Sequence, residues 1–208
     1  MLHFIRSART AYLLAISLLL VSCTTSNTLV NRDWQVHQAL VTNTHYWTLQ
    51  GRLNIRQANN SDTVSINWQQ IEQDFEINLS GALGIGATMI SGNQNGIRLQ
   101  QGNDNPIEAT NLAELSRDYL GYEFPAEALH YWVRGIPSPH STATMEFNEN
   151  QLLASLKQRD AQGNNWQLEY DRYQDSDGLS LPGRIRMTHP DYRLTFIIQS
   201  WQTRPGGN

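Results

Sequence analysis

Apolar and polar positions alternate in short runs along most of this chain. Leu49, Gly51, Leu53 and Ile55 occupy every second position of one run, and Val64, Ile66 and Trp68 do so in the next. Phe75, Ile77 and Leu79 repeat the pattern after a polar turn. A period of two is that of a strand with one face in the core. Further short strands are predicted at 87–91, 97–101 and 106–109, divided by Gly92-Asn93, Asn95-Gly96 and Gly102-Asn103. After position 140 strands resume at 142–147, 152–159, 166–173, 184–188 and 192–201, with a turn at His189-Pro190-Asp191. Turn signals at such intervals mark an antiparallel meander.

Three stretches carry helical spacing instead. Leu29, Val30, Trp34 and Val41 recur at three- and four-residue intervals within 29–45. Thr110 or Asn111 can cap a helix bearing Leu112, Leu115, Tyr119 and Leu120 on one face, with Glu114 near its third position. Pro125 can open another at 125–134, with Leu129, Trp132 and Val133 on one side and Gly135 as its stop. The expectation is one domain of mostly β structure with helices (α+β). About eleven strands form a strongly curved sheet or partial barrel, with three helices packed on its concave face.

The N-terminus follows a different rule. Arg6 and Arg9 precede an uncharged apolar run, 11–21, that is too short to span a bilayer and has the length of a signal-peptide core. Leu20-Val21-Ser22-Cys23 follows at once and looks like the lipobox of bacterial lipoproteins. On that resemblance residues 1–22 are removed, Cys23 is lipidated, and 23–28 form a lipidated tether. The folded domain then covers 29–203 and 204–208 is a tail. The chain's only cysteine stands at this position, so lipidation also disposes of a free thiol in an oxidising compartment. Thr24 follows the cysteine, where an Asp would signal retention in the inner membrane.

Composition then excludes several classes. One cysteine rules out an intramolecular disulfide framework and a cysteine-based zinc site. Six Trp and eight Tyr among 208 residues rule out a disordered chain. Beyond position 22 the chain keeps 13 Lys and Arg against 19 Asp and Glu, a net charge of −6. Bulk charge therefore favours neither nucleic acid nor anionic lipid.

No strong catalytic constellation is present. His37, His45, His130, His140 and His189 show no metal-ligand spacing, and there is no G-x-S-x-G elbow. His130, beside Trp132, is better explained by packing than as a general base, and His189 by a surface turn. Glu123 with Glu127, and Glu114 with Asp118, are simplest as solvated helix faces. Gly81-Ala82-Leu83-Gly84-Ile85-Gly86 lacks the helix that a phosphate cradle requires. As a loop it is unusually apolar. Either Leu83 folds back onto the core, or it is an exposed tip that a membrane or partner covers. Trp68, Trp132, Trp166, Tyr170 and Trp201 all fall on core-facing stripes; plain core packing accounts better for each alone, whereas six Trp in one domain suit the walls of a greasy pocket.

The order of these features resembles the LolB family of Gram-negative outer-membrane lipoprotein receptors. Trp47-x-x-x-Gly51-Arg52-Leu53, Trp68-Gln69-Gln70 and Phe75-x-Ile77-x-Leu79 look like its first strands. Ala82-Leu83-Gly84 stands where the family has a protruding loop, with Ala82 in place of a frequent Pro. Leu112-x-x-Leu115 and Leu129-x-x-Trp132-Val133-Arg134-Gly135-Ile136-Pro137 resemble its helical insert. Asn165-Trp166-x-Leu168-x-Tyr170-x-x-Tyr173 and Leu181-Pro182-x-x-Ile185 resemble its C-terminal strands.

The resemblance implies an unclosed β-barrel with a helical lid around a hydrophobic cavity. It implies a receptor rather than an enzyme, anchored in the outer membrane and facing the periplasm, with no cofactor and no metal. Its partners would be the periplasmic carrier LolA, triacylated lipoprotein cargo and outer-membrane lipid, and it would act as a monomer without nucleic acid. Trp68, Tyr119, Trp132, Trp166 and Tyr170 would line the acyl-chain cavity, and Leu83, Gly84 and Ile85 would form the membrane-release loop. An anchored fatty-acid-binding lipoprotein, a lipid-modifying enzyme of the envelope and a structural lipoprotein are the alternatives.

Overall fold

The structure is a computed structural model that describes residues 33–81, 87–110, 112, 115 and 125–204. Helix α1 (Trp34–Thr42) leads into strands β1 (Tyr46–Gln57), β2 (Ser61–Ile71), β3 (Asp74–Gly81), β4 (Thr88–Asn93), β5 (Gly96–Gln101) and β6 (Ile107–Ala109). Helix α2 (Ala126–Trp132) precedes β7 (Ala143–Phe147), β8 (Leu153–Arg159), β9 (Asn165–Asp171), β10 (Gln174–Ser176), β11 (Leu179–Leu181), β12 (Arg184–Thr188) and β13 (Tyr192–Gln202).

Eleven strands make one antiparallel sheet in the order β6-β5-β4-β3-β2-β1-β13-β12-β9-β8-β7. Two meanders are thus joined through the first and last strands, and the sheet ends on β6 and β7 without closing. The alternation does what its period requires. Leu49, Leu53 and Ile55 on β1, Val64, Ile66 and Trp68 on β2, and Leu194 and Phe196 on β13 all point to one side and are buried. The intervening positions are polar and stay in water.

Gly51 has a specific reason to be glycine. The β1–β13 register shifts between Gln50 and Gly51, and a Cβ at Gly51 would lie 2.2 Å from the carbonyl oxygen of Ile197. Backbones approach there more closely than any side chain allows.

The strands fall where alternation places them, with boundaries moved by one to three residues. β2 begins at Ser61, because the Asn60 carbonyl closes the preceding turn by accepting from the Gln57 N–H at 2.8 Å. The hairpin of β10 and β11 is an addition to the expected pattern. Its turn is Asp177-Gly178, both at positive φ (52° and 81°), between the pair Ser176 and Leu179. Asp-Gly is the usual sequence of a two-residue hairpin turn, so the signal was present in the chain.

Helix α1 is shorter than the 29–45 stretch. Asp33 adopts a non-helical ψ of 137°, and its carboxylate accepts from the Gln35 N–H at 2.9 Å, which sets the start. Helix α2 starts after Pro125 and ends at Trp132 rather than at 134. Gly135, at φ 75°, turns the chain away, and its N–H donates to the Trp132 carbonyl at 3.0 Å. Between them Leu112 and Leu115 are helical and buried. Val41, Leu112, Leu115, Leu129 and Trp132 join the same core cluster as the apolar face of the sheet. The described residues do not make up the expected three-helix lid: they contain two helices and these two helical positions.

Candidate functional site

The apolar face of the sheet carries the candidate site, and its aromatic side chains fall into two groups. In the first, Trp47 of β1 has Trp68 of β2 at 5.1 Å, His130 of α2 at 5.7 Å and Trp201 of β13 at 5.7 Å between ring centroids. In the second, Trp166 of β9 has Trp132 of α2 at 5.8 Å, His189 at 5.1 Å and Tyr192 at 5.7 Å. Of the expected cavity residues, Trp132 and Trp166 therefore meet directly, while Trp68 stands with the other group. Tyr170 lies two positions beyond Leu168 on the same face of β9 and opposite Ile185. All four are buried. Tyr119, the fifth, lies outside the described residues, as do Leu83, Gly84 and Ile85 of the expected release loop and Cys23.

Hydrogen bonds separate these aromatics by role. The Trp132 indole N–H donates to Gln158 Oε1 at 2.7 Å. Gln158 also accepts from the Ser138 N–H, and its amide donates to the carbonyls of Ser138 and Ser141. One buried glutamine thereby ties α2 and the Ile136–Pro139 connector to β8. The Trp166 indole donates to Asp160 Oδ2 at 2.8 Å, while Asp160 Oδ1 accepts from the backbone N–H groups of Gln162 and Asn164. The Trp201 indole donates to the Pro182 carbonyl at 2.9 Å. Among the described residues the indole nitrogens of Trp47 and Trp68 and the hydroxyl of Tyr170 are buried without a hydrogen-bond partner. Burying a donor unpaired is unfavourable, so polar atoms sit bare on an otherwise greasy surface.

Trp47 and Arg134 belong to this site without having been expected there, and Trp201, expected on a core-facing stripe, was not among the expected cavity residues. Trp47 is at an alternating position, and that signal could have included it. Arg134 carried no such sign. It is buried, and among the described residues it has no ion-pair partner. Its Nη1 donates to the carbonyls of Val41 at 2.8 Å and Thr44 at 3.3 Å, and its Nε donates to the His130 carbonyl at 3.1 Å. Its guanidinium lies 5.7 Å from the Trp47 ring. Burial lowers its pKa to about 10, still well above neutral, so it is a cation held against helix-terminal carbonyls and ring faces.

His130 and His189 are packing groups, whereas His45 and His140 are exposed. Burial, with the nearby Arg134 charge adding to it, lowers the His130 pKa to about 3. His130 is neutral at pH 7, wedged between the rings of Trp47 and Tyr131. His189 is not the plain surface residue expected of a turn. The hairpin folds its imidazole onto Trp166 and Tyr192, the latter 4.7 Å away. Glu127 is exposed, whereas Glu114, Asp118 and Glu123 lie outside the described residues. Among the described residues no group of His, Cys, Asp and Glu is placed to hold a metal ion.

The family model for the outer membrane lipoprotein LolB matches residues 45–201. An outer-membrane lipoprotein LolB of Ectopseudomonas mendocina is 31% identical over 84% of this chain and 83% of its own length. One of Pseudomonas syringae pv. syringae is 33% identical over 84% and 83%. Among solved structures, a LolA superfamily protein from Nitrosomonas europaea aligns with a TM-score of 0.55 at 7% identity, covering 85% of this chain and 96% of its own. A DUF1329 family protein from Desulfovibrio piger aligns with a TM-score of 0.59 at 8% identity, covering 84% and 92%. These two likenesses concern the fold alone.

Proposed function

The chain belongs to the LolB family of outer-membrane lipoproteins, and from that premise we propose how its fold serves a lipoprotein receptor. It sits in the outer membrane, held there by a lipid on Cys23, and faces the periplasm. There it takes the acyl chains of other lipoproteins from the carrier LolA onto the apolar face of its sheet and releases the lipoproteins into the membrane.

The observation that supports this most is the unclosed sheet itself. Eleven strands turn one continuous apolar side, rich in aromatics, toward the helices. A closed barrel would have no edge through which a chain could enter. Acyl chains gain about 0.8 kcal/mol per methylene when hidden from water, so a carrier and a receptor must meet without exposing them. Handover needs no ATP if the receptor binds more tightly, and a tenfold preference corresponds to only about 1.4 kcal/mol. In this reading Trp68, Tyr119, Trp132, Trp166 and Tyr170 contact the acyl chains, and Leu83, Gly84 and Ile85 touch the bilayer during release. Trp132 and Trp166, with their indoles hydrogen-bonded, are the fixed part of the wall.

The test is a transfer assay. The mature chain with Cys23→Ala is mixed with a purified carrier–lipoprotein complex, and pull-down locates the lipoprotein. Movement to this protein without ATP is the expected result. A lipoprotein that stays on the carrier, while this protein still binds a fluorescent fatty acid, would instead favour a fatty-acid-binding lipoprotein of the same fold.

A further inference from the structure

The sheet's polar face gathers cations that the net charge conceals. β1 presents Arg52 and Arg56, β13 presents Arg193, and β12 presents Arg184 and Arg186, each alternating with buried neighbours. These three adjacent strands contain no Asp or Glu. Across β9, strand β8 adds Lys157 and Arg159 to the same face. Seven of the 13 Lys and Arg beyond position 22 are therefore on one surface of a chain whose net charge there is −6.

Carboxylates neutralise only part of it. On β9, Asp171 pairs with Arg184 at 2.5 Å and Glu169 with Arg186 at 3.1 Å. Arg52, Arg56, Arg193 and Lys157 have no ion-pair partner among the described residues. Arg56 and Arg193 are directly opposed in the β1–β13 register, where like charges repel. Asp191, in the turn before Arg193, faces His189 at 3.6 Å. Asp62 accepts from the Asn60 amide on the other flank. One row across the sheet reads Lys157, Gln167, Thr188, Arg193, Arg56 and Ser61. At its β8–β9 end lies an open groove of about 840 Å³, lined in part by Lys157, Arg159, Gln167 and Thr188.

We infer that this face docks on the phosphate groups of anionic phospholipid headgroups in the membrane that holds the chain. Unrelieved repulsion between opposed arginines is relieved by anions laid against them, and guanidinium forks suit phosphate oxygens. The cations spread over four strands of one sheet face, three of them in a single row, which fits an extended surface better than a socket. Ten positions separate Cys23 from Asp33, and a chain of that length reaches at most about 35 Å. The lipid anchor keeps the face beside the bilayer, where individually weak contacts act at high effective concentration. The inference rests on the membrane anchoring proposed above and not on acyl-chain transfer.

Vesicle flotation of the mature chain with Cys23→Ala, which retains every described residue, tests it without the anchor. The protein should float with phosphatidylcholine vesicles containing roughly a third phosphatidylglycerol, and not with phosphatidylcholine alone. Raising salt from about 50 to about 300 mM should release it. Arg52→Gln, Arg56→Gln and Arg193→Gln combined should lower partitioning by about tenfold or more. Arg98→Gln, whose partner Glu108 lies 3.6 Å away on β6, should leave it unchanged. The triple variant should melt no lower than the parent, since it removes a repulsion. Equal binding to neutral vesicles, or undiminished binding by the triple variant, overturns the proposal. So does indifference to both vesicles, including where the same face instead makes a salt-sensitive complex with an acidic protein. Acyl transfer by the triple variant in detergent should persist, which separates this failure from failure of the receptor reading.

Discussion

The Arg134 guanidinium donates to the Val41 carbonyl across 2.8 Å, although 93 positions separate the two residues. The bond joins the end of α1 to the end of α2 and sets a buried cation against the negative end of α1, as a second donor to the Val41 carbonyl, which also accepts from the Thr44 N–H at 3.2 Å. Arg134→Met keeps the volume and removes the donors. It should cost about 1–3 kcal/mol and strip hydrogen-exchange protection from Trp34–Thr42 before the sheet. Unchanged protection of α1 would show that the bond holds nothing.

His130 makes stability depend on pH. Its folded pKa is lowered to about 3 by burial first and by Arg134 second, whereas an unfolded histidine titrates near 6.5. Between those values the unfolded chain binds the extra proton. Stability contributed by neutral His130 is therefore complete above pH 6.5 and falls as the pH drops toward 3. From pH 6.5 to 4 the loss should approach about 3 kcal/mol. Urea titrations across that range should show it, and His130→Gln should flatten the dependence.

Asp160 organises the β8–β9 turn and holds Trp166 at once, accepting from two backbone N–H groups and the indole. Asp160→Ala removes the acceptor of the buried Trp166 indole and of the part-buried N–H groups of Gln162 and Asn164. A loss of about 2–4 kcal/mol is expected, with a shift in near-ultraviolet circular dichroism from the Trp132 and Trp166 pair. An unaltered aromatic spectrum would count against the coupling.

Gly51→Ala tests a close backbone approach between β1 and β13. A methyl group 2.2 Å from the Ile197 carbonyl oxygen forces β1 and β13 apart where the two meanders join. A destabilisation above about 2 kcal/mol is expected by chemical denaturation. Stability within about 0.5 kcal/mol of the parent would mean that the bulge yields easily.

Leu83→Glu addresses release. If Leu83 dips into lipid, the charged variant should take up lipoprotein from the carrier at the parent's rate yet deliver it poorly to vesicles. Normal delivery by this variant would remove Leu83 from the mechanism.

The chain by itself determined which side chains face the core. A period of two at Leu49, Leu53, Ile55 and at Val64, Ile66, Trp68 has one physical solution for a half-buried strand, so strand positions and the apolar face were legible. Glycine and proline placed the limits of α2 for the same local reason. Partnership between strands was not legible, because alternation states a face and not a neighbour. Nothing near Tyr192–Gln202 says that it lies beside Tyr46–Gln57. That pairing divides Trp47, Trp68 and Trp201 from Trp132 and Trp166, although all read alike as core aromatics. It also decides the charge. Arg52, Arg56, Arg184, Arg186 and Arg193 are ordinary polar positions in a chain of negative net charge. Only the long-range register sets them on one surface, because electrostatics depends on distance in space and not on position along the chain.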